Sequence, residues 1–159
     1  MVEQSSKWIG QLGLTIDRIR IGDTAAFSKT LTEADVYQFA GIVGDFNPLY
    51  VNAEYAAKTP LQGRAVPTML VASLVSKVLG MQLPGPGTVH VAQEMEFLQP
   101  VHMGDTVEAR VWVTRLDGKR GRVWLDFACT NQKGELVARG ETEAQPPSPN
   151  AFEAPGGTE

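Results

Sequence analysis

A chain of 159 residues, 43% hydrophobic and 20% charged, has the make-up of one ordinary globular domain, with room for a proper core and little for a second. Its formal net charge of −4, with no long run of Lys or Arg, excludes the basic face that nucleic-acid binding requires. The single cysteine excludes an intrachain disulfide, and no apolar stretch reaches the length of a membrane span; the longest, Met69 to Leu79, is interrupted by Ser73, Ser76 and Lys77.

Residues 1–10 carry little pattern and are expected to be loosely held. They lack a basic segment followed by an apolar run, so no secretion signal is read and the expected location is the cytoplasm. From Leu12 to Arg20 apolar residues alternate with polar or charged ones, which predicts an edge strand or extended arm. Gly22-Asp23 marks a turn, and Thr24 to Thr30 reads as a short strand. Thr32 followed by Asp35 is an Asp variant of the capping box, and Val36, Phe39, Ala40 and Val43 then form one helical stripe that Gly44 is suited to end. Asn52 is placed to cap a second, short helix, Ala53 to Lys58, and Thr59 to Ala65 is a loop around Pro60 and Gly63.

The longest helix is expected from Pro67 to Leu79, with Pro67 at the first helical position and Gly80 just past the end. Its apolar residues occupy nearly every side, which marks a buried helix. In a domain of this size, a buried helix implies a sheet wrapped about it. Thr88 to Leu98, Asp105 to Leu116, Arg122 to Thr130 and Glu135 to Ala144 supply the strands, separated by turn-rich segments. Val107, Ala109, Val111 and Val113 alternate with polar residues and Trp112, so one face of that strand is apolar. Short loops between the strands imply an antiparallel meander. The expected fold class is α+β, an antiparallel sheet around a long central helix, in a single domain over residues 11–144. Residues 145–159, with four prolines and two glycines around a lone Phe152, are expected to form a disordered tail.

Asp45 and Asn47 lie in the turn Gly44-Asp45-Phe46-Asn47-Pro48, directly after the first helix. A carboxylate there serves as a general base where it is partly desolvated; the plainer reading is that Asp and Asn are good turn residues. Cys129 sits in an apolar strand and reads as a small core residue. His90 and His102 are the only histidines, His90 opening a central strand and His102 in a solvated turn; without paired Cys or carboxylates they make no metal site. Leu83-Pro84-Gly85-Pro86-Gly87 lacks the Lys of a phosphate loop and reads as a turn, so no cofactor is expected.

Wider segments carry a resemblance. The run from Tyr37 to Leu49, then Asn52-Ala53-Glu54-Tyr55-Ala56, then Met69 to Ser76, closely resembles the MaoC-like, R-specific enoyl-CoA hydratases and dehydratases of the hotdog superfamily. The similarity continues through Leu83 to Thr88, Phe97-Leu98-Gln99-Pro100-Val101 and Gly104-Asp105-Thr106-Val107, and ends near Ala144. It implies a hotdog fold, a homodimer with paired sheets, and an acyl-thioester site at the dimer interface with the acyl chain in a tunnel.

In the family an Asp and a His five residues later hold the water that adds across the double bond. Asp45 matches the Asp; Tyr50 stands where the His is usual. Imidazole exchanges protons near neutral pH, whereas a phenol with a reference pKa near ~10 is a poor base and is left to orient water or donate a hydrogen bond. The resemblance further implies that Thr68, where a Gly is usual after a His, offers a helix N-terminal amide to the thioester carbonyl; Pro67-Thr68 replaces His-Gly. Ser76 aligns with a serine that supports the site, although a buried helical Ser commonly bonds back to its own helix. His90 falls where an aromatic is frequent and is a candidate to face the tunnel.

The implied function is reversible hydration of a trans-2-enoyl-CoA to an R-3-hydroxyacyl-CoA, with Asp45 and Tyr50 catalytic and Asn47, Thr68, Ser76 and His90 binding substrate. The partners it implies are an acyl-CoA or acyl carrier protein thioester and a second hotdog subunit, identical or not. The altered Tyr50 and Pro67-Thr68 positions hold open the alternative of a changed relative: an inactive dehydratase subunit, an acyl-thioester-binding module or a thioesterase.

Overall fold

The computed structural model describes residues 12–148 and 150. Five strands form one antiparallel sheet: β1 (Thr24–Thr30), β2 (Val89–Phe97), β3 (Thr106–Asp117), β4 (Arg122–Thr130) and β5 (Leu136–Gln145). Four helices precede β2: α1 (Glu33–Val43), α2 (Pro48–Val51), α3 (Ala53–Ala57) and α4 (Thr68–Met81). The sheet lies against α4, whose Val71, Ala72, Leu74, Val75, Val78 and Leu79 are buried. This is the expected α+β hotdog arrangement.

Strand alternation supplies the other half of the core. Val107, Ala109, Val111 and Val113 on β3 face the same interior as Val123, Leu125, Phe127 and Cys129 on β4, all essentially without exposure. Burial of a Val or Leu side chain contributes about 1.5–3 kcal/mol, so these two strands and α4 are the main apolar contribution to stability. Cys129 is part of this packing, and burial pushes its thiol up to about 12. The thiolate is therefore scarce, as the core reading expects.

The strand order is β1-β3-β4-β5-β2. The expected meander holds for β3, β4 and β5, whose connections are short. It fails at β2, which pairs with β5 and not with the β3 that follows it. β2 is thus an edge strand of this chain, and His90 does not open a central one. The crossing is possible because Leu98 to Asp105 passes over the end of the sheet, where Leu98 and Gln99 amides donate to the Val137 carbonyl and the Val66 amide donates to Val101.

The helix starts follow their caps. Thr32 and Asp35 form the full capping box, and Gly44 closes α1 in the left-handed region at φ 76°. Asn52 caps α3 through the Tyr55 amide. Three expectations shift. Leu12 to Arg20 contains a 3-10 turn, Ile16–Arg18, and no strand; Ile19 and Thr15 turn inward and the backbone bonds locally and to Pro84 and Pro86 instead of a sheet edge. Pro67 occupies the cap position of α4, and the helix passes through Gly80 to Met81 because the Gln82 amide still donates to Val78. The tail expected from residue 145 begins later: Gln145 closes β5, and Pro146 and Pro147 are buried. Residues 1–11, 149 and 151–159 lie outside the described residues, so the expectations for both termini fall there. Among the described residues, no helix is long and apolar enough to cross a membrane.

Candidate active site

The turn after α1 is held by its own side chains. The Asp45 carboxylate accepts from the Asn47 amide (3.2 Å), and the Asn47 side-chain oxygen accepts from the Leu49 amide (3.0 Å). Asn47 thereby caps α2, a helical turn not expected from the sequence, with Pro48 at its start. The Tyr50 amide donates to the Asn47 carbonyl, so one compact turn carries Asp45, Asn47 and Tyr50. Both readings of this segment meet here, since the residues that build the turn are the ones proposed for chemistry.

A strap of backbone fixes this turn to the sheet. The Ala65 amide donates to the Leu49 carbonyl (3.1 Å). Arg64 reaches Tyr37 (3.0 Å) and Glu33 on α1. His102, expected to be solvated, donates from Nδ1 to the Arg64 carbonyl (3.1 Å), while its amide donates to Asp105 (2.8 Å). It is half-buried and serves as a structural tie, because its backbone forms an isolated bridge to Ala65.

Between the turn, the strap and the start of α4 lies a pocket of about 330 Å³. Tyr50 and Thr68 line it together, with Leu49, Leu61, Val71, Phe97, Val101 and Val137 giving it an apolar wall. Tyr50 is half-buried against the core. Burial, then the nearby Asp45 charge, raises its phenol above the usual value, so it stays protonated at working pH. Asp45 is exposed in the single chain, which differs from the partly desolvated base the sequence reading required.

Thr68 opens α4 behind Pro67, with no side-chain cap on the helix. The first amides of such a helix have no intrahelical acceptor and carry the positive end of its dipole. An oxygen in the pocket therefore meets a donor and a phenol. The other candidates lie apart from it. Ser73 bonds back to the Leu70 carbonyl (2.6 Å), while Ser76 is exposed two turns along α4 from Thr68. His90 is at the far end of β2, where its Nε2 lies 2.9 Å from Thr142 Oγ1, the neighbour-satisfied arrangement common for a strand His.

Leu61, Val101 and Val137 join the pocket wall without having been candidates from the sequence. They come from three segments distant in sequence, and the only signal was the Phe97 to Val101 stretch already noted for its resemblance. Among the described residues, no group of His, Cys, Asp or Glu is arranged to hold a metal ion.

The MaoC like domain family matches residues 19–126. An (R)-specific enoyl-CoA hydratase from Rhodospirillum rubrum is 42% identical over 130 residues, spanning 82% of this chain and 90% of the relative. A 3-hydroxybutyryl-CoA dehydratase from Methylorubrum extorquens is 39% identical over 135 residues, 84% of this chain and 85% of its own. Among solved structures, the (R)-hydratase of Aeromonas caviae superposes with a TM-score of 0.78 at 38% identity, covering 81% of this chain and 98% of the other.

Proposed function

This chain belongs to the MaoC-like domain family, and from that premise we propose that it is a hydro-lyase of acyl thioesters. It adds water reversibly to a trans-2-enoyl-CoA to give an R-3-hydroxyacyl-CoA. The observation that carries the reading is the meeting of Tyr50 and the Thr68 helix start in one apolar pocket, directly beside the Asp45 turn.

In this mechanism Asp45 removes a proton from water as its oxygen bonds to C3 of the substrate. Tyr50 and Asn47 hold that water, the phenol donating or accepting but not serving as base. Charge moves through the conjugated system to the thioester oxygen, where the Thr68 amide at the positive end of α4 stabilises the enolate. Asp45, now protonated, returns that proton to C2, which completes the addition and restores the carboxylate. Ser76 and His90 lie away from the reacting atoms and take no part in these steps.

The active form is a homodimer working in the cytoplasm. β2 offers an unpaired backbone edge, and Val89, Val91 and Phe97 on it are exposed, as are Met69 and Phe46. An open apolar edge of this kind is covered in functional proteins. A second subunit that also covered the exposed Phe46 would desolvate the adjacent Asp45, supplying the condition that the single chain lacks. The experiment is direct: purified protein is incubated with short and medium enoyl-CoAs and the conjugated thioester absorbance is followed. Decay that is lost in Asp45→Asn supports the reading, and no decay at high enzyme concentration overturns it.

Tyr50 in place of an imidazole favours a second reading, an altered relative that binds or hydrolyses thioesters, or serves as the inactive half of a heterodimer. Release of free CoA from saturated acyl-CoAs, or co-purification with another hotdog subunit, identifies it.

A further inference from the structure

The helix-facing side of β2 and β5 carries a polar group that the hydration mechanism does not use. Thr142 is only 1% exposed and, with Thr15, is one of two buried polar residues among those described. The β4 residues beside it, Leu125 and Phe127, are apolar. Its hydroxyl donates to the Ala92 carbonyl (3.1 Å) and lies 2.9 Å from His90 Nε2. With that hydroxyl proton committed to a carbonyl, Thr142 accepts from His90, which fixes the ring proton on Nε2. His90 Nδ1 is then an acceptor with no protein donor among the described residues, on a side chain that is exposed in the single chain and so open to a ligand. Burial, opposed by the Ala92 carbonyl, lowers the pKa of this ring and keeps it neutral.

Two polar atoms nearby in the chain, unlike the exposed His90 ring, meet neither a partner nor solvent. The Gln93 side-chain oxygen and the Thr88 hydroxyl are both sealed from solvent and unbonded. Gln93 is the register partner of Thr142, and a bulge between His90 and Ala92 turns this end of the strand. A sealed polar atom left unmet costs about 1–3 kcal/mol, and bulges commonly re-aim side chains beside sites. Gln93 shares its face of β2 with Phe97, which lines the Tyr50 pocket. Gln93 is four positions from Phe97, about 13 Å along the strand, with Met95 between them on the same face, a span that the tail of a medium-length acyl chain covers.

The group is rich in acceptors: imidazole Nδ1 and the Gln93 oxygen. We propose that the His90–Thr142–Gln93 group binds a hydroxyl carried on the distal part of the acyl chain, so that the protein prefers hydroxylated enoyl thioesters over plain aliphatic ones. This rests on the thioester reading of the Tyr50 pocket and specifies its substrate class. A keto oxygen, having no proton to donate, gains nothing from two acceptors.

Saturated acyl-CoAs have no double bond to hydrate and serve as unreactive probes. Dissociation constants are measured by calorimetry for matched plain, distally hydroxylated and distally keto chains of equal length. The native protein binds the hydroxylated chain about fivefold tighter than the plain one, as expected for one net hydrogen bond, and the keto chain no tighter. The preference falls below about twofold in His90→Phe and Thr142→Val, while Thr142→Ser, which keeps the hydroxyl, retains it. Equal binding of plain and hydroxylated chains overturns the inference, as does a preference that survives both variants. If no acyl-CoA binds, the thioester reading itself falls, and the inference with it.

Discussion

At the residue scale, the decisive position is Tyr50. Its side chain is half-buried in the pocket wall, and burial with the Asp45 charge holds the phenol protonated. The pH dependence of catalysis then carries no ionisation from this residue in the neutral range. Replacing Tyr50 with His introduces a group that titrates near ~6.5 in its unperturbed state. The expected outcome is a kcat/KM profile in Tyr50→His with a new limb between about pH 6 and 7, absent from the native enzyme. Hydration rates measured from pH 5 to 9 decide it. Asp45→Asn removes the proposed base while keeping a turn-forming side chain, so its kcat is expected to fall about 10²–10⁴-fold, with thermal stability nearly unchanged. A paired melting curve and progress curve separate loss of chemistry from loss of fold. Asp45 and Tyr50 were singled out in the sequence through the resemblance of their segment to the family, and both lie on one compact turn. The apolar wall was not, because Leu61, Val101 and Val137 approach each other only after the strap and the crossing loop have formed.

At the element scale, the helix starts were readable because caps are local. Thr32 and Asp35 lie three residues apart and bond reciprocally whatever the rest of the fold does. Backbone and side-chain hydrogen bonds from Thr32, and to a smaller degree Lys29, hold the Asp35 carboxyl below its usual value. The depressed folded value means the contribution is fully present above the ordinary carboxylate range and is lost as pH falls through the folded pKa. Thr32→Ala is therefore expected to cost about 1 kcal/mol near neutral pH. The difference from the native protein should shrink on acidification below about pH 4, as urea melts at several pH values will read. Strand partners, by contrast, were not legible. β2 alternates much as the other strands do, and nothing in its own residues selects β5. What does is steric: a Cβ on Gly140 would lie 1.9 Å from the Glu94 carbonyl oxygen and 2.8 Å from the Phe127 ring. The absent side chain at Gly140 is what allows β2 to lie so close. Gly140→Ala is expected to push the edge strand off, costing about 3 kcal/mol and lowering Tm by about 5–10 °C. Hydrogen exchange then shows the loss of protection concentrated in β2.

At the scale of the whole molecule, one chain presents an unfinished surface. The exposed Val89 and Val91 on the edge strand, with Met69 and Phe46 on the helical side, are more apolar surface than a lone globule benefits from showing. The proposed dimer through β2 would join two five-stranded sheets without rearranging either. Paired Val89→Lys and Val91→Lys substitutions place charge on that edge. The variant is expected to sediment as a folded monomer and to lose hydration activity in parallel, whereas a dimer that persists would place the interface elsewhere. The α+β class and the buried helix followed from the all-round apolar pattern of residues 69–79. The far-edge position of β2 could only be learned from the folded chain.

The same strand order governs how the molecule comes off the ribosome. β1 waits for β3, and β2, complete by Phe97, waits for β5, which ends only at Gln145. Throughout the synthesis of the intervening residues, α4 and β2 are made but have no sheet to close over them. Nascent chains halted between about residues 100 and 135 should therefore be protease-sensitive and recruit chaperones. Protection should arrive in one late step, once β5 has emerged.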